Sequence, residues 1–329
     1  MTDILIKCEI CGGRLDEEDL FCSECGTEAP PRTDIKPSKL VQSISTHNFT
    51  CEGCGAAMSY DARAQALRCP FCGSEALRSE QDQNTLKARW VVPFAIGNSQ
   101  ADTALRQWLG KGFWRPGDLA KAAVITKMTP VYVPYWVFSA TTFTYWTGDT
   151  SATPVSTHSG WYPVSGKHQG SYENVLVGAS GALTASETQA ICPFDLVQAV
   201  PPEKIDLENS IYEQFRVQRK YARPLVRTQI EELERSFCST YIQGNARNVK
   251  VNVRLKDLTS EPILLPIWIM AYQYQGKLFR YVLNGQSGKS TGQAPTSMAK
   301  IAGAVGIVLA ALLFIGLCAG ILGALMRQR

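Results

Sequence analysis

Pro130-Val-Tyr-Val-Pro134-Tyr-Trp136-Val-Phe138 and Pro262-Ile-Leu-Leu-Pro266-Ile-Trp268-Ile-Met270 decide how the middle of this chain folds. Each run carries the pattern P-x3-P-x-W, and each is otherwise built from apolar β-branched and aromatic side chains. Short apolar runs of this composition read as buried strands. The shared spacing predicts an internal duplication. Outward from the first run, Trp90–Phe94 reads as a strand entry. Ser99–Leu109 reads as a short helix with Ala101, Ala104, Leu105 and Trp108 on one side, and Thr141–Thr147 continues the β texture. Around the second run, Pro193-Phe194 echoes Pro93-Phe94. A helical stretch spans Leu207–Gln243, interrupted by Pro224, with Val226, Ile230, Leu233, Phe237 and Tyr241 as its apolar face. Trp268–Tyr274 and Lys277–Leu283 form a hairpin around Gln275-Gly276, and Asn284-Gly285 supplies a further turn. The expectation is an α+β domain of antiparallel sheets over 88–287, with repeat halves at about 90–148 and 192–287.

Eight of the eleven cysteines precede this domain, in four C-x2-C pairs: Cys8/Cys11, Cys22/Cys25, Cys51/Cys54 and Cys69/Cys72. Two tight turns, each presenting two sulfurs, are what a tetrahedral Zn²⁺ held by four thiolates needs. Glycine follows every pair (Gly12, Gly26, Gly55, Gly73), where a positive φ lets the backbone fold back over the metal. Two zinc ribbons are expected, at 1–28 and 47–80, joined by a Pro-rich linker at 29–46. Four thiolates close the coordination shell, so both sites read as structural, and His47 as a bystander. Metal would supply the folding energy that such short segments cannot draw from a core. No export signal precedes the cysteines, which argues against a disulfide framework.

At the far end, no residue from Ile301 to Met326 is charged or strongly polar. As a helix this stretch would measure about 39 Å, against a hydrocarbon layer of about 30 Å. It is expected to be a transmembrane helix at 299–326, with 301–326 in the bilayer. The protein would be tail-anchored and single-pass, with its N-terminal bulk in the cytoplasm. Lys289 and Lys300 precede the helix and Arg327 and Arg329 follow it, so flanking charge does not set orientation. Gly316, Gly320 and Ala324 form a small-residue stripe that would suit helix–helix self-association.

Charge speaks to the partner. Residues 1–80 hold 8 Lys/Arg against 13 Asp/Glu, whereas 81–329 hold 25 against 16. Ribbons that grip phosphates want the opposite sign, which argues against nucleic acid. The later basic residues, Arg216 to Arg227 and Arg247 to Lys256, read as a solvated face paired with Glu231, Glu232 and Glu234, the alternative being a face toward anionic headgroups or an acidic partner.

No reaction centre emerges. Asn284-Gly-Gln-Ser-Gly-Lys289-Ser290 lacks the first glycine of a phosphate-binding loop and opens no helix. His158 and His168 share the Ser/Thr/Gly-rich stretch 148–170, which reads as a long loop or edge hairpins, and no Cys, Asp or Glu cluster completes a metal site there. Cys192, Cys238 and Cys318 are isolated thiols. An enzyme would have to use the 148–170 loop with both histidines converging.

Several motifs resemble a known group. Phe49-Thr-Cys-Glu-Gly-Cys54 with Arg68-Cys-Pro-Phe-Cys-Gly73 is similar to zinc ribbons of transcription factor IIB type. Gly160-Trp-Tyr-Pro-Val-Ser-Gly166, Asn174-Val-Leu-Val177, Cys192-Pro-Phe-Asp-Leu196 and Arg247-Asn-Val-Lys-Val-Asn252 resemble a family of bacterial zinc-ribbon membrane proteins. So does Leu265-Pro-Ile-Trp268 through Asn284-Gly-Gln-Ser-Gly-Lys289. That resemblance implies a protein partner, with SPFH/flotillin-like and phage-shock-type proteins as its associates; it carries no helicase motor. The expected function is a membrane-anchored zinc-ribbon adaptor or scaffold, not an enzyme. The alternative is a membrane-tethered nucleic-acid-binding protein.

Overall fold

A computed structural model describes residues 6–8, 10, 12, 14–15, 47–54, 56–60, 69–71, 74–80, 86–152, 160–207, 210–215 and 217–327. The N-terminal part holds β1 (Ile6–Lys7) and β2 (Arg14–Leu15), then β3 (His47–Cys51), β4 (Ala57–Tyr60) and β5 (Leu77–Glu80). There follow β6 (Trp90–Val91), α1 (Asn98–Gly110), α2 (Leu119–Ala122), β7 (Val124–Thr150), β8 (Tyr162–Gly178) and α3 (Ala185–Ala190). The last elements are β9 (Ile211–Glu213), α4 (Arg219–Ser239), β10 (Ala246–Tyr274), β11 (Lys277–Asn284), β12 (Ser290–Gly292) and α5 (Met298–Arg327). β1 and β2 pair with each other; the other ten strands form one sheet ordered β12-β11-β10-β7-β9-β4-β3-β5, with β6 also on β10 and β8 on β7.

The two proline–tryptophan runs lie in neighbouring strands, β7 and β10. Thr126 Oγ1 donates to Ala271 O and Thr259 Oγ1 to Ser139 O, so one index falls as the other rises and the strands are antiparallel. Side chains alternate between the two faces of a strand. Val131, Val133 and Tyr135 therefore join Ile263, Leu265, Ile267 and Ile269 in one buried cluster. Trp268, Met270, Tyr272 and Tyr274 face another, which is filled by Ala101, Leu105 and Leu109 of α1 and Leu119 of α2. Both faces are covered, which is why these runs are apolar at nearly every position.

The chain divides into two compact units. The larger comprises residues 47–139, 173–216 and 259–329, and the smaller 1–46, 140–172 and 217–258. In the smaller unit α4 buries Ala222, Val226, Ile230, Glu234 and Cys238. Leu233, Phe237 and Tyr241, expected on the buried face, are roughly half exposed. The helix is also shorter than the predicted 207–243.

Several expectations are corrected here. The sheet is mixed, not antiparallel: β6 runs parallel to β10 and β9 parallel to β7. Both short strands reach their partners through crossovers, which leave strand direction open, whereas hairpins fix it. The second ribbon is not a separate module, because β3, β4 and β5 belong to that same sheet. Among the described residues no helix is long and apolar enough to cross a membrane. α5 is helical to Arg327, but its described side chains end at Gly316. The expected transmembrane helix, the bilayer as partner, the tail anchor and the single-pass membrane localisation with a cytoplasmic bulk are not carried forward. Gly320 and Ala324 of the small-residue stripe lie outside the described side chains, as does the 29–46 linker outside the described residues.

The phosphate-loop lookalike is a structural clamp. Asn284 is fully buried; its Nδ2 donates to Ile191 O at 2.9 Å and Pro193 O at 3.1 Å, while its Oδ1 accepts from Gln286 N and Ser287 N. Lys289 Nζ donates to Cys192 O. Two of the motifs behind the family resemblance thus hold each other. Beside them Gly285 has no room for a side chain: a Cβ there would meet the Phe94 ring at 2.6 Å and Pro266 O at 3.0 Å. Gly285→Ala is expected to cost about 1–3 kcal/mol through overpacking, read as a lowered midpoint in denaturant. Gly117→Ala, where a Cβ meets nothing within 4 Å, should stay within about 0.5 kcal/mol.

Candidate metal centre

β3 ends at Cys51, and the chain turns through 52–54 before returning as β4. Cys51 N donates to Ala56 O at 2.8 Å, closing the first knuckle. Cys69 N donates to Ser74 O at 2.8 Å and closes the second in the same way. The two knuckles are tied to one another by Glu52 N donating to Ala76 O at 2.9 Å. Gly53 is needed at this approach, since a Cβ there would lie 3.2 Å from Ser74 Cβ. The two loops therefore bring Cys51 and Cys54 close to Cys69.

The result is a compact set of sulfurs. Cys54 Sγ lies 3.6 Å from Cys69 Sγ, and the Sγ atoms of Cys51, Cys54 and Cys69 all stand within 4.8 Å of one another. Metal–sulfur bonds of about 2.3 Å put tetrahedral sulfurs about 3.8 Å apart, so the spacing suits one ion. Cys51, Cys54 and Cys69 could hold a metal ion. None of the described cysteines is in a disulfide.

This cluster is part of the core of the larger unit. Cys51 and Cys69 are fully buried and Cys54 partly so, and they pack with Ala56, Met58 and Phe71 against Val131, Val133, Ile263 and Leu265. The strands fix that placement. β4 pairs with β9 (Met58↔Glu213, Ser59↔Tyr212), and β9 pairs with β7 (Val131↔Ile211, Tyr132↔Tyr212). Buried Glu213 then secures the next layer, its Oε1 accepting from Gly181 N at 2.7 Å and Ala182 N at 3.1 Å.

Of the eight expected ligands, the structure brings Cys51, Cys54 and Cys69 together, and Cys72 lies outside the described residues. In the first ribbon Cys8 is buried after β1, and Gly12 N donates to its carbonyl at 2.8 Å. Gly12 has the positive φ expected of it, +71°. Cys11, Cys22 and Cys25 lie outside the described residues.

A second group escaped the sequence reading. His168 is on strand β8, which pairs with β7, and its Nδ1 lies 2.7 Å from Glu234 Oε2. Cys238 Sγ is 3.8 Å from the same oxygen. His158 lies outside the described residues. Glu234, expected on a solvated face, is wholly buried, while Glu231 makes the expected surface pair with Arg227 at 3.0 Å. The available signal was the i, i+4 stripe Ala222-Val226-Ile230-Glu234-Cys238, in which one carboxylate interrupts an otherwise buried face.

The chain is similar to the uncharacterized protein YdjG of Bacillus subtilis (strain 168). The two are 26% identical over 317 residues, which take in 78% of this chain and 92% of that protein. No family model matches the chain. No solved structure matches it.

Metal removal follows directly from a cluster built into a core. Chelation, or Cys69→Ser, is expected to lower the melting temperature of the larger unit as a whole. Loss of an ion present at a thousandfold excess over its Kd corresponds to about 4 kcal/mol. Calorimetry with and without chelator measures it, and an unchanged transition would count against a bound metal.

Proposed function

We propose that the chain is a zinc-ribbon adaptor that binds a protein partner, not a catalyst. The observation that carries this reading is the spacing of the Cys51, Cys54 and Cys69 sulfurs within a buried cluster. In this reading Cys72 is the fourth thiolate of that site. Cys8, Cys11, Cys22 and Cys25 form a second site of the same kind. A tetrahedral all-sulfur set favours Zn²⁺ or iron–sulfur chemistry over harder ions. Two pairs of C-x2-C knuckles, each pair closing on one ion, favour zinc. Such sites leave no position for water or substrate, so the metal stabilises a surface and does not activate a ligand.

Acidity supports a protein partner over a nucleic acid. Residues 1–80 hold 13 Asp/Glu against 8 Lys/Arg, the wrong balance for neutralising phosphates. An SPFH-domain protein, the class implied by the family resemblance, is the first partner to try.

Purified full-length chain should carry two equivalents of zinc held by sulfur alone, and Cys51→Ser with Cys54→Ser should remove one. Absence of sulfur-bound zinc would overturn the reading. It should also fail to retain single- or double-stranded DNA at low salt. Tight, steeply salt-dependent retention would replace the adaptor with a nucleic-acid-binding protein.

A further inference from the structure

The His168–Glu234–Cys238 group lies in the smaller unit and shares no residue with the ribbon reading. Its three donors come from two elements. Glu234 and Cys238 are one turn apart on the buried stripe of α4, so both side chains leave the same face. His168 comes from β8, whose alternation turns its ring inward. Close approach is secured by Gly170, where a Cβ would stand 2.9 Å from both Glu234 Oε1 and Thr142 Oγ1. Phe237 and Tyr241 wall the imidazole, their ring centroids 4.6 and 5.9 Å away.

A carboxylate in this position needs an explanation, because burying a charge is costly unless it is compensated. Hydrogen bonds go some way. Thr142 Oγ1 donates to Glu234 Oε1. Burial alone would raise the Glu234 pKa, but hydrogen bonds from Thr142, His168 and Tyr172 outweigh it and hold the carboxyl below its ordinary value. Thr144 adds to that lowering, yet its buried Oγ1 meets no partner at hydrogen-bonding geometry. Burial also pushes the Cys238 thiol up to about 11. A buried thiol, a buried carboxylate, a nearly buried imidazole and an unsatisfied hydroxyl thus meet at one point.

We propose that His168 Nδ1, Glu234 Oε2 and Cys238 Sγ form a separate three-ligand site for a transition-metal dication, Zn²⁺ by its ligand chemistry. The three donor atoms already stand within 4.8 Å of one another. Bonds of about 2.0–2.1 Å to nitrogen and oxygen and about 2.3 Å to sulfur place such donors about 3.3–3.6 Å apart. The 2.7 Å His168–Glu234 contact must open by a few tenths of an ångström and the others draw together. Binding expels the thiol proton of Cys238 to solvent as the metal–sulfur bond forms, and a proton on Nδ1 of the neutral His168 moves to Nε2, freeing Nδ1 to bind. One dication, one thiolate, one carboxylate and a neutral imidazole sum to zero. The buried charge of Glu234 is then cancelled and not merely solvated. With three protein ligands a fourth position is left for water, within reach of a polar group such as Thr144 Oγ1. That differs in kind from the closed all-sulfur ribbons.

Cadmium alone is the probe. The full-length protein loaded with ¹¹³Cd²⁺ should give one resonance typical of a single-sulfur, mixed-donor site, well separated from all-sulfur resonances. Cys238→Ala and His168→Gln should each abolish that resonance, lower bound metal by one equivalent and leave all-sulfur resonances in place. An absence of the mixed-donor resonance in the unmodified protein would overturn the proposal, leaving a buried His–Glu pair. Its persistence in both folded variants would do the same. Should a variant fail to fold, as judged by circular dichroism, the unmodified protein's spectrum decides the matter. Failure of the ribbon reading would instead remove the all-sulfur signals, so the two outcomes are distinguishable.

Discussion

Pairing between the runs 130–138 and 262–270 is the constraint on which the larger unit rests. Each run is apolar on both faces, and neither could bury both faces on its own. Side by side in antiparallel strands, both send one set of side chains toward the cysteine knuckles, and the second run sends its other set toward α1 and α2. Their tryptophans meet different needs. Trp268 Nε1 donates to Ile96 O at 2.9 Å and its ring packs against Phe94, whereas Trp136 packs on Phe215. In each half of the chain a helix precedes the long strand and a shorter strand follows it.

The cysteine cluster draws its place from that pair. β9 lies between β7 and β4, so the knuckles are bonded edge-on to the central strands as well as packed on their side chains. A free-standing ribbon gains its fold from metal alone. The Cys51–Cys54–Cys69 cluster shares a core with residues such as Val131, Val133, Ile263 and Leu265, so a metal held there would stabilise the same unit as the packing. In the adaptor reading, a ribbon fixed in this way offers a partner a rigid surface, with little ordering entropy to lose on binding.

Sequence made some of this legible and hid the rest for physical reasons. The knuckles were readable because ligand chemistry fixes the cysteine spacing within a few residues. The paired strands were readable because burial on both faces leaves an unbroken apolar run. Mixed strand direction was not, since β6 and β9 are two and three residues long and carry no pattern of their own. On α4 two i+4 stripes lie side by side, and the one with the larger side chains, through Leu225, Leu233 and Phe237, is the exposed one. Glu234 concealed the buried stripe because a carboxylate ordinarily signals solvent. The stretch around His168 reads as either a loop or edge hairpins, because Ser, Thr and Gly dominate 148–170. Half-buried β8 alternates exposure residue by residue and tolerates that composition. The long C-terminal apolar run suggested a membrane crossing, which no helix among the described residues is long and apolar enough to make.

The central claim is that the thiolate cluster and the paired strands form one cooperative core. Amide hydrogen exchange of the full chain, with and without chelator, tests it most directly. The account predicts that removing the metal exposes β3, β4 and β5 together with β9 and the amide of Gln214, which donates to Ala57 O at 3.0 Å. Loss of protection confined to the knuckles, with β9 still protected, would contradict it.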